Sequence, residues 1–127
     1  MSLWYANLRD SILILASPAQ AQVEYLDYTF RNLTNGKSAA CYGNDELLLE
    51  FDDYYVACEY KHELGEITQA EIDAARSVAA IFGDLRTGGD KAFWRREALF
   101  SDPRWEQIRE CAAAALEAMP DRRVENE

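Results

Sequence analysis

The sequence predicts an all-α protein, a single domain built as a bundle of five or six helices, and three observations carry that expectation. Apolar residues recur every three or four positions in one segment after another, the signature of helices that bury one face. Start and stop signals punctuate the chain: Ser17-Pro18, Thr68-Gln-Ala-Glu71 and Asp102-Pro103 open helices, while Asn35-Gly36, Gly65 and Gly88-Gly89 end them. Nothing alternates with period two over a useful length, so no strand is expected. At 127 residues, 49% of them hydrophobic, the chain can fill one sizeable core. The domain should span residues 1–120, with a frayed charged tail over 121–127.

The first helix follows from Leu3, Trp4, Leu8, Ile12 and Leu15 at helical spacing, and Ser17-Pro18 ends it. Pro18 suits the first turn of a second helix, with Val23, Leu26, Phe30 and Leu33 on one side and a stop near Asn35-Gly36. A polar loop should follow, reaching about Gly43. Residues 45–63 read as one amphipathic helix with Asn44 as its N-cap, Asp45 and Glu46 in the first turn favouring the helix dipole, and Gly65 as the stop. Thr68-Gln-Ala-Glu71 has capping-box spacing and opens a helix burying Ile72, Ala75, Ala79 and Phe82. Phe93-Trp94 and Leu99-Phe100 imply a short apolar helix. Asp102-Pro103 then starts a final one, with Trp105, Ile108, Ala112, Leu116 and Met119 inward, closed by Pro120. Trp4, Trp94 and Trp105 are expected in the core, where large aromatics fill bundle interiors.

Thirteen basic residues against twenty-three acidic ones give a net charge of -10. That balance argues against a nucleic-acid partner, whose phosphates must be neutralised by Lys and Arg, and against an anionic membrane surface. No run approaches the length of a transmembrane helix. Arg9, Ile12-Leu-Ile-Leu-Ala16 and Ala19-Gln-Ala21 sketch a secretory signal, but the apolar run is short and Asp10 borders it. Cys41, Cys58 and Cys111 are odd in number and widely spaced, without a CxxC, so a reducing, cytoplasmic setting is expected.

The charge is concentrated. Residues 45–63 hold seven carboxylates and one lysine, more than half of the net charge. Leu47, Leu48, Phe51, Tyr54, Tyr55 and Cys58 form an apolar stripe on that segment, and Glu46, Glu50 and Asp53 an acidic stripe beside it. A solvated face is the ordinary fate of such a stripe. A second reading is a docking face for a basic protein, with Glu46, Glu50, Asp52, Asp53 and Glu59 as contact residues and Tyr54, Tyr55 or Tyr60 as anchors where exposed. A third is a hard-cation site completed by Glu24 or Asp27; a di-metal centre is disfavoured because His62 is the only histidine. No metal or cofactor is therefore expected.

Cys58 and His62, four residues apart, could form a thiolate–imidazolium pair, but no third group orients them and buried cysteines are inert. Gly88-Gly89-Asp90-Lys91 lacks the spacing of a phosphate-cradling loop and reads as a turn. Arg95, Arg96, Arg104 and Arg109 form a basic zone, expected to pair within the bundle with Glu97, Glu106 and Glu110.

Three patches, Leu8-Arg-Asp-Ser-Ile-Leu-Ile-Leu-Ala16, Asp45-Glu-Leu-Leu-Leu-Glu-Phe-Asp-Asp53 and Ser101-Asp-Pro-Arg-Trp105, together resemble the small acidic helical immunity proteins of bacterial polymorphic and contact-dependent toxin systems. The resemblance implies a cytosolic, non-enzymatic protein that binds a cognate toxin domain and blocks it. The alternatives are a carboxylate-rich metal-binding protein or enzyme, and a homo-oligomeric helical adaptor, such as a homodimer, with no toxin partner.

Overall fold

The computed structural model describes residues 3–34, 43–86 and 89–125, and among them there are helices and turns but no strand. The all-α expectation is met. In chain order the helices are α1 (Trp4–Ala16), α2 (Ala19–Thr34), α3 (Asp45–Tyr55), α4 (Cys58–Glu63), α5 (Gln69–Phe82), α6 (Ala98–Ser101), α7 (Pro103–Glu117) and α8 (Arg122–Glu125), with a 3₁₀ turn at Gly83–Arg86. Helix α1 is central and packs against α7, α3 and α2, while α5 packs against α7 and α4. None of the described helices is long and apolar enough to cross a membrane.

Helix α1 buries Tyr5, Leu8, Ser11, Ile12 and Leu15, a stripe at spacings of three and four. Leu3, expected on that stripe, is 68% exposed; it stands at the N-cap, and Tyr5 takes the inward place. Ser11 is tolerated in the core because its hydroxyl donates to the Leu8 carbonyl at 2.6 Å. Ser17 is extended (φ -76°, ψ 156°), as the residue before a proline prefers. Two carbonyls at the end of α1 also accept from a side chain that periodicity did not single out. Gln22 is fully buried and donates to the Ile14 and Leu15 carbonyls, both at 3.1 Å. Its own oxygen accepts from Arg109 of α7 at 3.0 Å, so one amide ties three helices.

Thr68 and Glu71 form the expected capping box. Helix α5 buries Ile72, Ala75, Val78 and Phe82, with Val78 where Ala79 was expected; Ala79 is partly buried at the edge. Asp102 caps α7, accepting from the Arg104 N–H at 2.9 Å, with Pro103 in the first turn. Trp105 is fully buried, whereas Trp4 and Trp94 are half-buried.

Residues 91–97 are turns, not the short helix expected there, and only Ala98–Ser101 is helical, with Phe100 exposed. Tertiary partners account for the difference. The Phe93 ring stacks on Trp105 with centroids 4.8 Å apart, and its carbonyl accepts from the Trp105 indole at 2.9 Å. A helix would have claimed that carbonyl for its own ladder.

In the tail expected to fray from residue 121, Arg122 and Arg123 make contacts with the bundle. Arg122 bonds the buried Glu71 carboxylate and the Glu66 carbonyl. Arg123 pairs with Asp10 of α1 at 2.8 Å. The ordered contacts thus run past the expected boundary at residue 120. The Leu33 side chain, Asn35-Gly36, Cys41 and Gly88, all singled out in the sequence, lie outside what the structure describes.

Candidate functional site

Residues 45–63 do not form one helix. The N–H of Val56 still bonds to the Asp52 carbonyl, but that of Ala57 bonds three residues back, to Tyr54, at 3.3 Å. The Tyr54 carbonyl also accepts from the Trp4 indole of α1 at 2.8 Å. This side-chain donor occupies the carbonyl where the helical ladder would continue, and the chain tightens into a turn before α4. Glu59 and Tyr60 are thereby taken out of register with Glu46, Glu50 and Asp53.

Asn44 stands at the start of α3, yet its side chain makes no cap bond. The amide instead donates to the carbonyls of Phe93 (3.3 Å) and Arg95 (2.6 Å), and its N–H donates to that of Trp94 at 2.9 Å. It fastens α3 to the 91–97 turns and leaves the dipole of α3 to Asp45 and Glu46.

The five expected contact carboxylates divide into two groups. Glu46, Glu50 and Asp53 line one groove between α2 and α3, of about 190 Å³, together with Tyr25, Leu26, Thr29, Phe30 and Leu49. The Tyr25 hydroxyl donates to Glu50 at 2.5 Å. Burial, then this bond, pushes the Tyr25 phenol well above its ordinary range, so it remains a donor. None of the three carboxylates has a cationic partner among the described residues. Glu46 has its carboxyl pushed up, first by burial and then by the charges of Asp45 and Asp53. Asp52 and Glu59 face elsewhere, and each is already neutralised: Asp52 by Arg86, Glu59 by Arg76 at 3.1 Å.

The expected anchors divide as well. Tyr55 stacks on Phe51, centroids 5.2 Å apart, and is half-buried, as is Tyr54. Only Tyr60, 62% exposed, is free to meet a partner. Two exposed residues that charge patterning did not single out, Tyr28 of α2 and Leu49 of α3, stand nearer the groove: Leu49 lines it, and Tyr28 follows Tyr25 by three residues on α2. Neither belongs to the apolar stripes read from helical spacing on α2 and α3, nor to the acidic stripe, so neither pattern marked them.

Among the described residues no three His, Cys, Asp or Glu side chains are placed to hold a metal. Asp27 is held by Arg96 at 2.8 Å and Glu24 by Gln20 at 3.2 Å. Cys58 is buried, and that burial pushes its thiol up to about 11, the reverse of what a thiolate nucleophile needs. In the basic zone Arg109 pairs with Glu106 as expected. Arg96 reaches Asp27, and Arg104 reaches Asp90 and Asp102, so Glu97 and Glu110 are not their partners. Gly89 takes a positive φ of 69°, which glycine favours.

Comparison with protein-family models, with curated proteins and with solved structures finds no match to this chain.

Proposed function

We propose that the chain is an immunity protein that binds and neutralises a basic bacterial toxin domain through the α2–α3 groove. One observation carries the reading: Glu46, Glu50 and Asp53 share an apolar-walled groove in which no described residue supplies a countercharge. Carboxylates kept together and partly desolvated cost folding energy, and a Lys or Arg from a partner would recover it as charge-assisted hydrogen bonds. At about 190 Å³ the groove is smaller than a typical small-molecule pocket of about 300–1,000 Å³, so it suits one side chain of a docked protein. Leu49 and Tyr28 would then be the apolar contacts that exclude water from those bonds. Asp52 and Glu59, satisfied internally, contribute steering and little else.

The test pairs this chain with the product of the neighbouring open reading frame, which the proposal requires to carry a toxin domain. Growth protection on co-expression and a salt-sensitive complex by calorimetry are expected, with Glu50→Lys plus Asp53→Lys abolishing both. If that double variant bound with unchanged affinity and salt dependence, the groove would not be the docking face.

A second reading, self-association, has an observation of its own. Val56 at the end of α3, Tyr60 in α4 and Leu64 just past it are all exposed, apolar surface of the kind that two-fold interfaces share. Light scattering across a concentration series decides it: a mass fixed at that of one chain rules the dimer out.

A further inference from the structure

We propose that the cavity on the opposite flank of α3, between α3 and the 91–97 turns, is a binding site for a small organic monocarboxylate with a flat apolar body. The cavity holds about 490 Å³, within the usual range of about 300–1,000 Å³ for small-molecule sites. Leu48, Leu49 and Trp94 supply its apolar lining, and the Trp94 ring offers a surface for an aromatic or planar group.

Its charges select the head group. Lys91 and Arg95 line the cavity, and neither side chain has a partner among the described residues. By contrast, Arg9, Arg76, Arg104, Arg109 and Arg122 are each engaged by a carboxylate or a carbonyl. The third cation of the lining, Arg86, is held by Asp52, and Asp45 is the remaining acid. The lining therefore carries one positive charge more than it has negative ones. A monoanion balances it, whereas a dianion such as a phosphate ester would meet Asp45 uncompensated.

The wall is also fixed before any ligand arrives. The Trp94 N–H bonds to the Lys91 carbonyl at 3.2 Å, closing a turn that brings both residues to the cavity. The Asn44 bonds to Phe93 and Arg95 hold that turn against α3. These bonds order the backbone that carries Lys91, Trp94 and Arg95, so only the two cationic side chains have freedom to lose on binding.

Indole-3-acetate, with indole-3-acetamide and inorganic phosphate as controls, tests this on the intact chain. The readout is the Trp94 indole N–H resonance, assigned with Trp94→Phe. A saturable shift with the acetate is expected, several-fold weaker with the amide, absent with phosphate, and lost in Lys91→Ala/Arg95→Ala with an unchanged circular dichroism spectrum. Asp45→Asn, at an exposed position, should tighten the same titration, which keeps the test alive if the double variant fails to fold. No saturable shift at tens of millimolar, equal binding of the amide, or a comparable response to phosphate would overturn the assignment.

Discussion

The Glu71 carboxylate, 3% exposed, is held by the guanidinium of Arg122 from a segment fifty-one residues later in the chain. Its oxygens also accept from the Tyr5 hydroxyl at 2.9 Å and from the Thr68 N–H at 2.8 Å. Arg122 lies over the Tyr5 ring, 3.6 Å from its centroid. The C-terminal segment thus closes the polar end of the α1–α5 contact. Arg122→Ala would leave a buried carboxylate without its countercharge, at a cost of about 3 kcal/mol. Thermal melts should show a fall of roughly 10 °C, and deletion of residues 121–127 should reproduce it. A melting temperature unchanged by both would mean that the tail contributes nothing to the fold.

Gly43 and the Trp94 carbonyl meet more closely than any side chain permits: a Cβ on Gly43 would lie 2.6 Å from that oxygen. The neighbour is backbone, so relief requires moving the turn that Asn44 fastens. Asn44 is buried for its donors alone, since its Oδ1 has no partner among the described residues. Gly43→Ala is expected to cost about 2 kcal/mol, as overpacking does, and to shift the indole resonances of Trp94 and Trp105 together. An alanine variant of native stability would show that this approach is looser than the geometry indicates.

What the sequence revealed, and what it withheld, follows the range of the forces involved. The stops at Ser17-Pro18 and starts at Thr68 and Asp102-Pro103 were legible because each is settled within a few residues by backbone sterics or a local hydrogen bond. The break after Tyr55 was not, because its cause, the Trp4 indole on the Tyr54 carbonyl, comes from fifty residues away. The same holds for Asn44, a plausible cap whose amide is claimed by Phe93 and Arg95. Of the acidic face, the stripe Glu46, Glu50 and Asp53 was readable from helical period alone. That Asp52 and Glu59 were already paired depended on Arg86 and Arg76, which no local pattern could reveal.

Cys58 separates packing from chemistry. Burial dominates its environment and keeps the thiol protonated near neutral pH, with Arg76 opposing and Glu59 adding to the shift. In a chain carrying Cys41→Ser and Cys111→Ser, modification of Cys58 by a thiol reagent should follow the rate of unfolding and accelerate with denaturant. Labelling of the native protein at the rate of a free thiol would restore the case for a nucleophile at this position.

Glu46 places the cost of the groove where a titration can find it. Its carboxyl is pushed up by burial and by Asp45 and Asp53, so the folded state holds this proton more tightly than the unfolded chain does. Stability is therefore greatest while the group is protonated in both states. It falls as pH rises from the ordinary glutamate value to the raised one, and is flat above. Glu46→Gln removes that loss. At neutral pH the variant should melt higher by roughly 2 °C, a small gain because the group is partly solvated, and the gain should vanish in acid. The same change removes one hydrogen-bonding charge from the proposed docking face, so affinity for a basic partner should drop roughly tenfold. Higher stability with weaker binding is the mark of carboxylates kept for a partner. If Glu46→Gln lowered the melting temperature at neutral pH, burial and the charges of Asp45 and Asp53 would not be penalising the Glu46 carboxylate, and the groove would lose the argument that a ligand must complete it.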